Sequence, residues 1–375
     1  MKAFIGRIPK ALILLGCFIA LTSDQAARGA ELALSALRSN TSLIVSWPTQ
    51  YVGYYYLQRA QNLSAPWATV TDSFPTNRMY FPTDISAGAA HSSYYRLTAI
   101  ATADPRISTN GLVAEYLFNG TAIDSATYQG QPRNGSIHGG VFSTTNRFGT
   151  QNCAWRFNGM TGFIDAQDDT VFSISTTGEL SISAWMRPDT NTFPKSDGGG
   201  FWVYWLSKID YGNNCDTDPE SQHEWGLRMY NLISGEADPP CPDSPGGRPN
   251  WVSSYVFDLC APTGLNYGAG SRTQCSPAII GEWAHYVATF KHTGVAPAYG
   301  TIQLFKNGQR IDSDDFVYRG QTITNVITPA NGTAPIRFGK GPRDYFFQGA
   351  IDNVRFYNRV LTTNEVSFLY QDKTP

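Results

Sequence analysis

Paired carboxylates are the first chemistry to seek in this chain. A retaining glycosidase needs two of them about 5–5.5 Å apart, and alternate acids on one strand face supply such a pair. The nearest approach is "GEADPP" (235–240), with Glu236 and Asp238, which runs into two prolines that disqualify a central strand. "IDSDDF" (311–316) follows a hairpin strand and reads as a solvated turn, as does "DAQDD" (165–169). The five histidines, His91, His138, His223, His285 and His292, are scattered without a nucleophile partner. His285, inside "EWAHYVATF", reads as a packed sheet residue. No G-x-S-x-G or phosphate-binding glycine loop occurs, and "QHEWG" (222–226) lacks the second histidine of a zincin. The residues give no positive case for an enzyme.

Oxygen ligands are better represented. Calcium takes carboxylates, amide side chains and backbone carbonyls from closely apposed turns. Asn119 and Asp124 frame the turn "FNGTAID" (118–124), and Asn134 follows in "RNGS". Cysteines make a third group: Cys215, Cys241, Cys260 and Cys275 crowd into a turn-rich stretch. No C-x2-C pair is present for zinc, so two disulfides are expected, with three connectivities open. Cys153, in "NCAWRFNG", reads as a small buried thiol. The same stretch is rich in aromatic rings, Trp202, Tyr204, Trp205, Tyr211, Trp225, Trp251 and Tyr255 among them. Ring faces near amides and acids suit sugar binding, because the apolar face of a pyranose stacks on them. Trp202, Trp205, Asp210, Tyr211, Trp225 and Trp251 are the candidate ligand residues. In "FWVYWLSKI" (201–209) strict alternation sends Trp202 and Tyr204 to one side and Trp205 to the other, and one of those sides must be core.

The elements that position these groups are strands. Charged residues make up 15% of the 375 residues, against about 25% in an average soluble protein. Aromatics reach 13%, with 35 Gly and 22 Pro, which suits short strands joined by tight turns. The net charge of −2 gives no electrostatic case for nucleic acid or an anionic membrane. Lys2, Arg7 and Lys10 precede "ALILLGCFIAL" (11–21), and residues 1–30 read as a secretory signal peptide, too short in its apolar run to span a membrane. "LLGC" (14–17) resembles a lipobox that would lipidate Cys17, but apolar Phe18 and Ile19 argue against it. A secreted or cell-surface protein, in which disulfides persist, is the expectation.

Residues 31–101 hold five strand-like runs and form a small β module; 102–110 is a polar linker. From 111 onward the chain carries many alternating strands and one late helix, "TTNEVSFLYQ" (362–371), with Thr362 or Thr363 as N-cap. "KNG" (306–308) marks a tight hairpin. The fold class is all-β, a two-sheet antiparallel jelly-roll sandwich with a small N-terminal β module.

The ordered series "GLVAEYLFNGTAID", "AWRFNGMTGFIDA", "ELSISAWMRPD", "GEWAHYVATFKHTG", "QLFKNGQRIDS" and "FQGAIDNVRFYNRVLTTNEVSFLY" resembles the laminin-G-like, concanavalin-A-like jelly-roll domain of secreted proteins. The first module is loosely similar to fibronectin-type-III-like modules through "SWP…YYLQRAQNLSAPW…YYRL". The laminin-G resemblance covers everything after the linker, except that 193–280 is enlarged. It implies that the first and last strands lie side by side, with Asp352 near the "FNGTAID" turn, and that Asp124 and Asp352 help hold a structural Ca2+. The other reading of Asp352 is a carboxylate bonded to backbone amides or to Arg355; alternation puts it on the face of Val354 and Phe356. Taken together, the residues and the resemblance imply an exported, non-catalytic protein recognising a glycan or another extracellular surface. The rivals are a glycoside hydrolase on the same fold and a structural or adhesive component.

Overall fold

The computed structural model describes residues 106–372, apart from 127, 197–201, 210–222, 232–249, 259–267, 274–278, 320–323 and 343, together with the backbone of six strands before residue 101. The chain divides into two compact units at Asp104/Pro105. In the first, β1 (Ser35–Arg38), β2 (Ser42–Ser46) and β5 (Arg78–Pro82) form one sheet, in the order β1-β2-β5. β3 (Tyr54–Ala60), β4 (Ala68–Thr71) and β6 (Tyr94–Ile100) form another, β4-β3-β6.

The second unit is a sandwich of two antiparallel sheets. The first sheet contains β7 (Leu112–Tyr116), β9 (Val141–Thr144), β10 (Ala154–Asn158), β12 (Glu179–Pro188), β17 (Ala284–His292), β18 (Gly300–Lys306), β19 (Gln309–Asp314) and β23 (Gln348–Tyr357). Their order is β19-β18-β17-β12-β23-β10-β9, with β7 also pairing with β23. The second sheet contains β8 (Gly135–His138), β11 (Phe163–Ala166), β13 (Trp202–Ile209), β14 (His223–Tyr230), β15 (Val252–Phe257), β16 (Gly268–Ala269) and β22 (Ile336–Phe338). Their order is β16-β15-β14-β13-β22-β11-β8. A hairpin of β20 (Val317–Arg319) and β21 (Thr324–Val326) lies apart from both sheets, and a one-turn helix α1 (Ile174–Thr177) precedes β12. The first and last strands of the unit do lie side by side, Tyr116 opposite Val354.

Alternation builds the core. β12 turns Leu180, Ile182, Ala184 and Met186 inward, where they meet Trp205, Trp225, Leu227 and Phe338 from the other sheet. Trp225 has no exposed surface, and its indole donates to the Phe172 carbonyl at 2.9 Å, so its one polar atom is satisfied. The hairpin foreseen at 306–308 joins β18 to β19, with Asn307 and Gly308 at φ 51° and 80°, the left-handed pair that a two-residue turn requires. The C-terminal helix α2 (Thr363–Gln371) opens on a capping box in which Thr362 and Glu365 satisfy each other's backbone amides. Its Val366 and Leu369 pack with Val287, Phe305 and Tyr357, which closes the outer face of the first sheet. Among the described residues no helix is long and apolar enough to cross a membrane.

Asp352 departs from the alternation. Ser183 lies opposite Arg355 but Trp185 lies opposite Asp352, so β23 carries one extra residue at this point. Asn353, at φ 44°, absorbs it. Asp352 and Arg355 therefore share the outer face, while Val354 and Phe356 stay in the core. Neither charge has solvent: Asp352 is 0% and Arg355 4% exposed. Arg147, from the β9–β10 loop, bonds Asp352 at 3.0 Å and the Asp372 carbonyl at 2.8 Å. Arg355 bonds Glu115 at 2.7 Å and Asp372 at 2.8 Å. The side-chain partner of Asp352 is Arg147 rather than the Arg355 named from sequence, while the backbone amide of Asn353, also foreseen in kind, bonds it too.

Burial raises the Asp352 carboxyl to about 7 against the pull of Arg147. A carboxyl raised on folding binds its proton more tightly in the native state. Its contribution to stability is complete below the unfolded value of 3.8 and is lost as pH climbs through about 7. The thermal midpoint should therefore fall between pH 5 and pH 8, and Asp352→Asn should flatten that fall. Arg147→Ala should cost about 3–5 kcal/mol in urea unfolding at pH 8 by stranding a buried carboxylate, and adding Asp352→Asn should recover part of the loss. An unchanged pH slope in Asp352→Asn would overturn this account.

Candidate functional site

The outer face of the second sheet gathers the aromatic residues of the enlarged region. Trp202 lies opposite Tyr230 and Tyr204 opposite Arg228, while β15 brings Ser253 opposite Arg228 and Tyr255 opposite Gly226. The Arg228 guanidinium lies 3.9 Å from the centre of the Tyr255 ring, 5.0 Å from Trp202 and 5.6 Å from Tyr230. It donates to the Ser253 and Tyr230 hydroxyls, both at 3.3 Å. Such a guanidinium is fixed in plane and position by the rings around it. Tyr204 lies flat where Gly226 leaves room, since a Cβ there would come within 2.6 Å of the ring. Trp202 and Tyr255 are half-buried and present ring surface; Arg228 and Tyr230 form the floor.

The candidate ligand residues therefore separate. Trp202 belongs to this cluster, and Trp251 supports it from beneath, 3% exposed and edge-on to Tyr230. Trp205 and Trp225 are corrections: both are fully buried in the sandwich core and cannot stack on a ligand. The register of β13 shifts between Tyr204 and Leu206, and Trp205 at that point faces the core. Asp210, Tyr211 and the cysteines Cys215, Cys241, Cys260 and Cys275 lie outside the described residues. Cys153 is a buried free thiol, raised to about 12 by burial. Arg228, which sequence reasoning passed over, carries its signal in "GLRMY": a basic residue flanked by apolar ones.

Three of the four residues expected to bind calcium, Asp124, Asn134 and Asp352, hold contacts within the chain. The Asp124 carboxylate accepts from the amides of Glu115 at 2.9 Å and of Ala126 and Arg133 at 3.0 Å. The Asn134 side chain accepts from the Asp124 amide at 3.0 Å. Asn119 is half-buried in the same turn. Asp352 is held by Arg147 in the layer beneath α2, where a guanidinium already supplies the compensating charge. Among the described residues no group of three or more His, Cys, Asp or Glu is arranged to hold a metal ion. As arranged, Asp124 ties the turn to β7 and Asp352 ties the loop to β23.

Two constellations resemble catalytic ones. Lys208 bonds both Asp168, at 2.7 Å, and Glu224, and Glu224 also accepts from the Gly332 amide at 2.9 Å. This brings a carboxylate of "DAQDD" beside that of "QHEWG", a pairing that their separation in sequence hides. Burial pushes Glu224 up to about 7 while Lys208 pulls it down. Lys208 is 0% and Glu224 3% exposed, so the ammonium, not a sugar, occupies the space between the acids. Ser183 and His285 approach to 2.9 Å, but both are buried, and burial with Arg147 and Arg355 drives the imidazole down to about 3. A base that stays neutral and inaccessible activates nothing.

If Asp124 and Asp352 serve the fold through these bonds, a calcium chelator at fixed ionic strength should leave the thermal midpoint unchanged. A drop that calcium restores, absent in Asp124→Asn, would show that a cation displaces the amide contacts.

Among solved structures, domain 4 of AbnA, an extracellular arabinanase of Geobacillus stearothermophilus, in complex with arabinotriose, is 19% identical over 69% of this chain and 98% of its own, with a TM-score of 0.43. The binding domain of Paraclostridial Mosquitocidal Protein 1 is 18% identical over 70% of this chain and 52% of its own, TM-score 0.44. The botulinum neurotoxin type G receptor-binding domain is 15% identical over 70% and 51%, TM-score 0.43. The chain spans about half the length of the two toxin structures. No curated protein matches it. Residues 257–367, from the end of β15 into α2, match the sequence model of the concanavalin A-like lectin/glucanases superfamily.

Proposed function

We propose that the protein is an exported glycan-recognition protein that uses the outer face of its second sheet. The observation that carries this reading is the pair of half-buried rings, Trp202 and Tyr255, set around the buried guanidinium of Arg228. A sugar has a face of C–H groups and a rim of hydroxyls. Two partly open rings accept the face, and the buried guanidinium of Arg228 fixes those rings in position from the floor. The match to a superfamily named for lectins and glucanases points the same way. Recognition without hydrolysis is favoured because the two carboxylates that approach each other, Asp168 and Glu224, are joined through a fully buried lysine. In an exported chain the four cysteines of the enlarged region pair as disulfides and brace its connections.

A glycan or polysaccharide array probed with the whole chain should give hits. Trp202→Ala and Tyr255→Ala should each weaken binding by about 1–3 kcal/mol, the cost of removing a stacking ring at a binding hot spot, while the far-ultraviolet spectrum and thermal midpoint stay close to wild type. Hits that persist in both variants would move the site elsewhere. Release of reducing sugar from any hit would favour the hydrolase.

A further inference from the structure

Beyond β13, the same outer face carries two lysines that form no ion pair with the described residues. Lys340 follows β22, and its ammonium lies 4.4 Å from the centre of the Phe163 ring and 5.3 Å from that of Phe346. Lys195 approaches Phe346 from the loop after β12, at 5.4 Å. Both lysines are half-buried, and no carboxylate among the described residues comes within salt-bridge distance of either. The acid nearest in the sheet, Asp165, is already shared between Arg337 at 3.4 Å and His138 at 3.9 Å. Asp344 is exposed and makes no ion pair. Burial and the neighbouring Arg337 and Lys195 all push the Lys340 ammonium down, with Asp344 and Asp165 opposing.

Half-burying an ammonium beside two other cations is unfavourable in both desolvation and Coulomb terms. Ring faces return part of that cost and leave the donors unbonded. An arriving oxyanion would supply both missing elements, charge and hydrogen-bond acceptors. The cluster is also continuous with the aromatic site. Tyr204 lies directly opposite Arg228 on one side, and on the other its ring lies against Gly341, the residue after Lys340. From β14 to β11 is three strand spacings, roughly 14 Å, which gives the sheet face between them room for an oligosaccharide. Along it Arg228, Lys340 and Lys195 contribute positive charge in a chain whose net charge is −2.

We propose that Lys195 and Lys340 form an oxyanion subsite of the glycan site, so that the saccharide bound is acidic, bearing a uronate carboxylate or a sulfate ester. This rests on the glycan reading above and adds to it the charge of the ligand.

Two matched probe pairs test it with the whole chain: polygalacturonate against its fully methyl-esterified form, and dextran sulfate against dextran. The charged member of at least one pair should bind on the order of ten-fold more tightly, with the preference shrinking as salt is raised. The first pair reports carboxylate and the second sulfate. Lys195→Gln with Lys340→Gln should bring charged and neutral members level, and Lys195→Arg with Lys340→Arg should keep the preference, which separates charge from packing. Equal binding of charged and neutral members by the wild-type chain overturns the proposal, as does a preference that survives in the glutamine variant. In either case neutral binding that Trp202→Ala abolishes leaves the aromatic site standing. Binding to none of the four polymers overturns both.

Discussion

The last strand of the jelly roll cannot keep two charges on a buried face without bringing their partners with it. β23 runs through the middle of the first sheet, against β12, β10 and β7, so its inner face is core by necessity. Its outer face would be open were it not for α2, which closes over Val287, Phe305 and Tyr357. Once that lid is down, Asp352 and Arg355 lie in a dry layer, where an unpaired ion costs several kcal/mol. Arg147 and Glu115 answer them from elements far away in sequence, and Asp372, at the end of the helix, is gripped by both arginines. The charges that would oppose burial thereby become the contacts that hold the lid, the β9–β10 loop and the opening strand to one place.

What sequence could and could not foretell follows from the range of each interaction. The 306–308 hairpin and the Thr362 capping box are local, set by residues two to four apart, and both were readable. The strand pairing of β7 with β23 was readable only through resemblance, since it joins residues about 240 apart. The extra residue at Asn353 was not readable, because a period-two pattern contains no sign of its own interruption. That single residue reversed the face of Asp352 and with it the reasoning about its neighbours. Arg147 was invisible for a different reason: it sits in a loop 205 residues from its partner.

The tryptophans show the same limit on a finer scale. Alternation correctly separated Trp202 from Trp205, but face parity alone does not say which face is core. All eight residues of β14 are buried, so hydrophobicity could not mark Trp225 as inner and Arg228 as outer. The informative residue was the polar one. An arginine flanked by apolar residues in a buried strand has to be compensated, and here the compensation is a ring of aromatic side chains.

The two sheets have thus solved the same problem in opposite ways. On the first, buried charges find counter-charges within the chain, and the outer face is sealed by a helix that those pairs hold down. On the second, Arg228, Lys340 and Lys195 are set over aromatic rings, whose faces attract a cation. Where acids do approach one another, at Asp168 and Glu224, the chain spends a fully buried lysine to separate them. Among the described residues the buried carboxylates are held in ion pairs or by amides, while Lys195 and Lys340 face aromatic rings. Half-open rings beside Lys195 and Lys340 are complementary to ligands that are apolar on one side and negatively charged at an edge. That pairing of open rings with ammonium groups, more than any single residue, is what the proposed recognition of an acidic glycan would use.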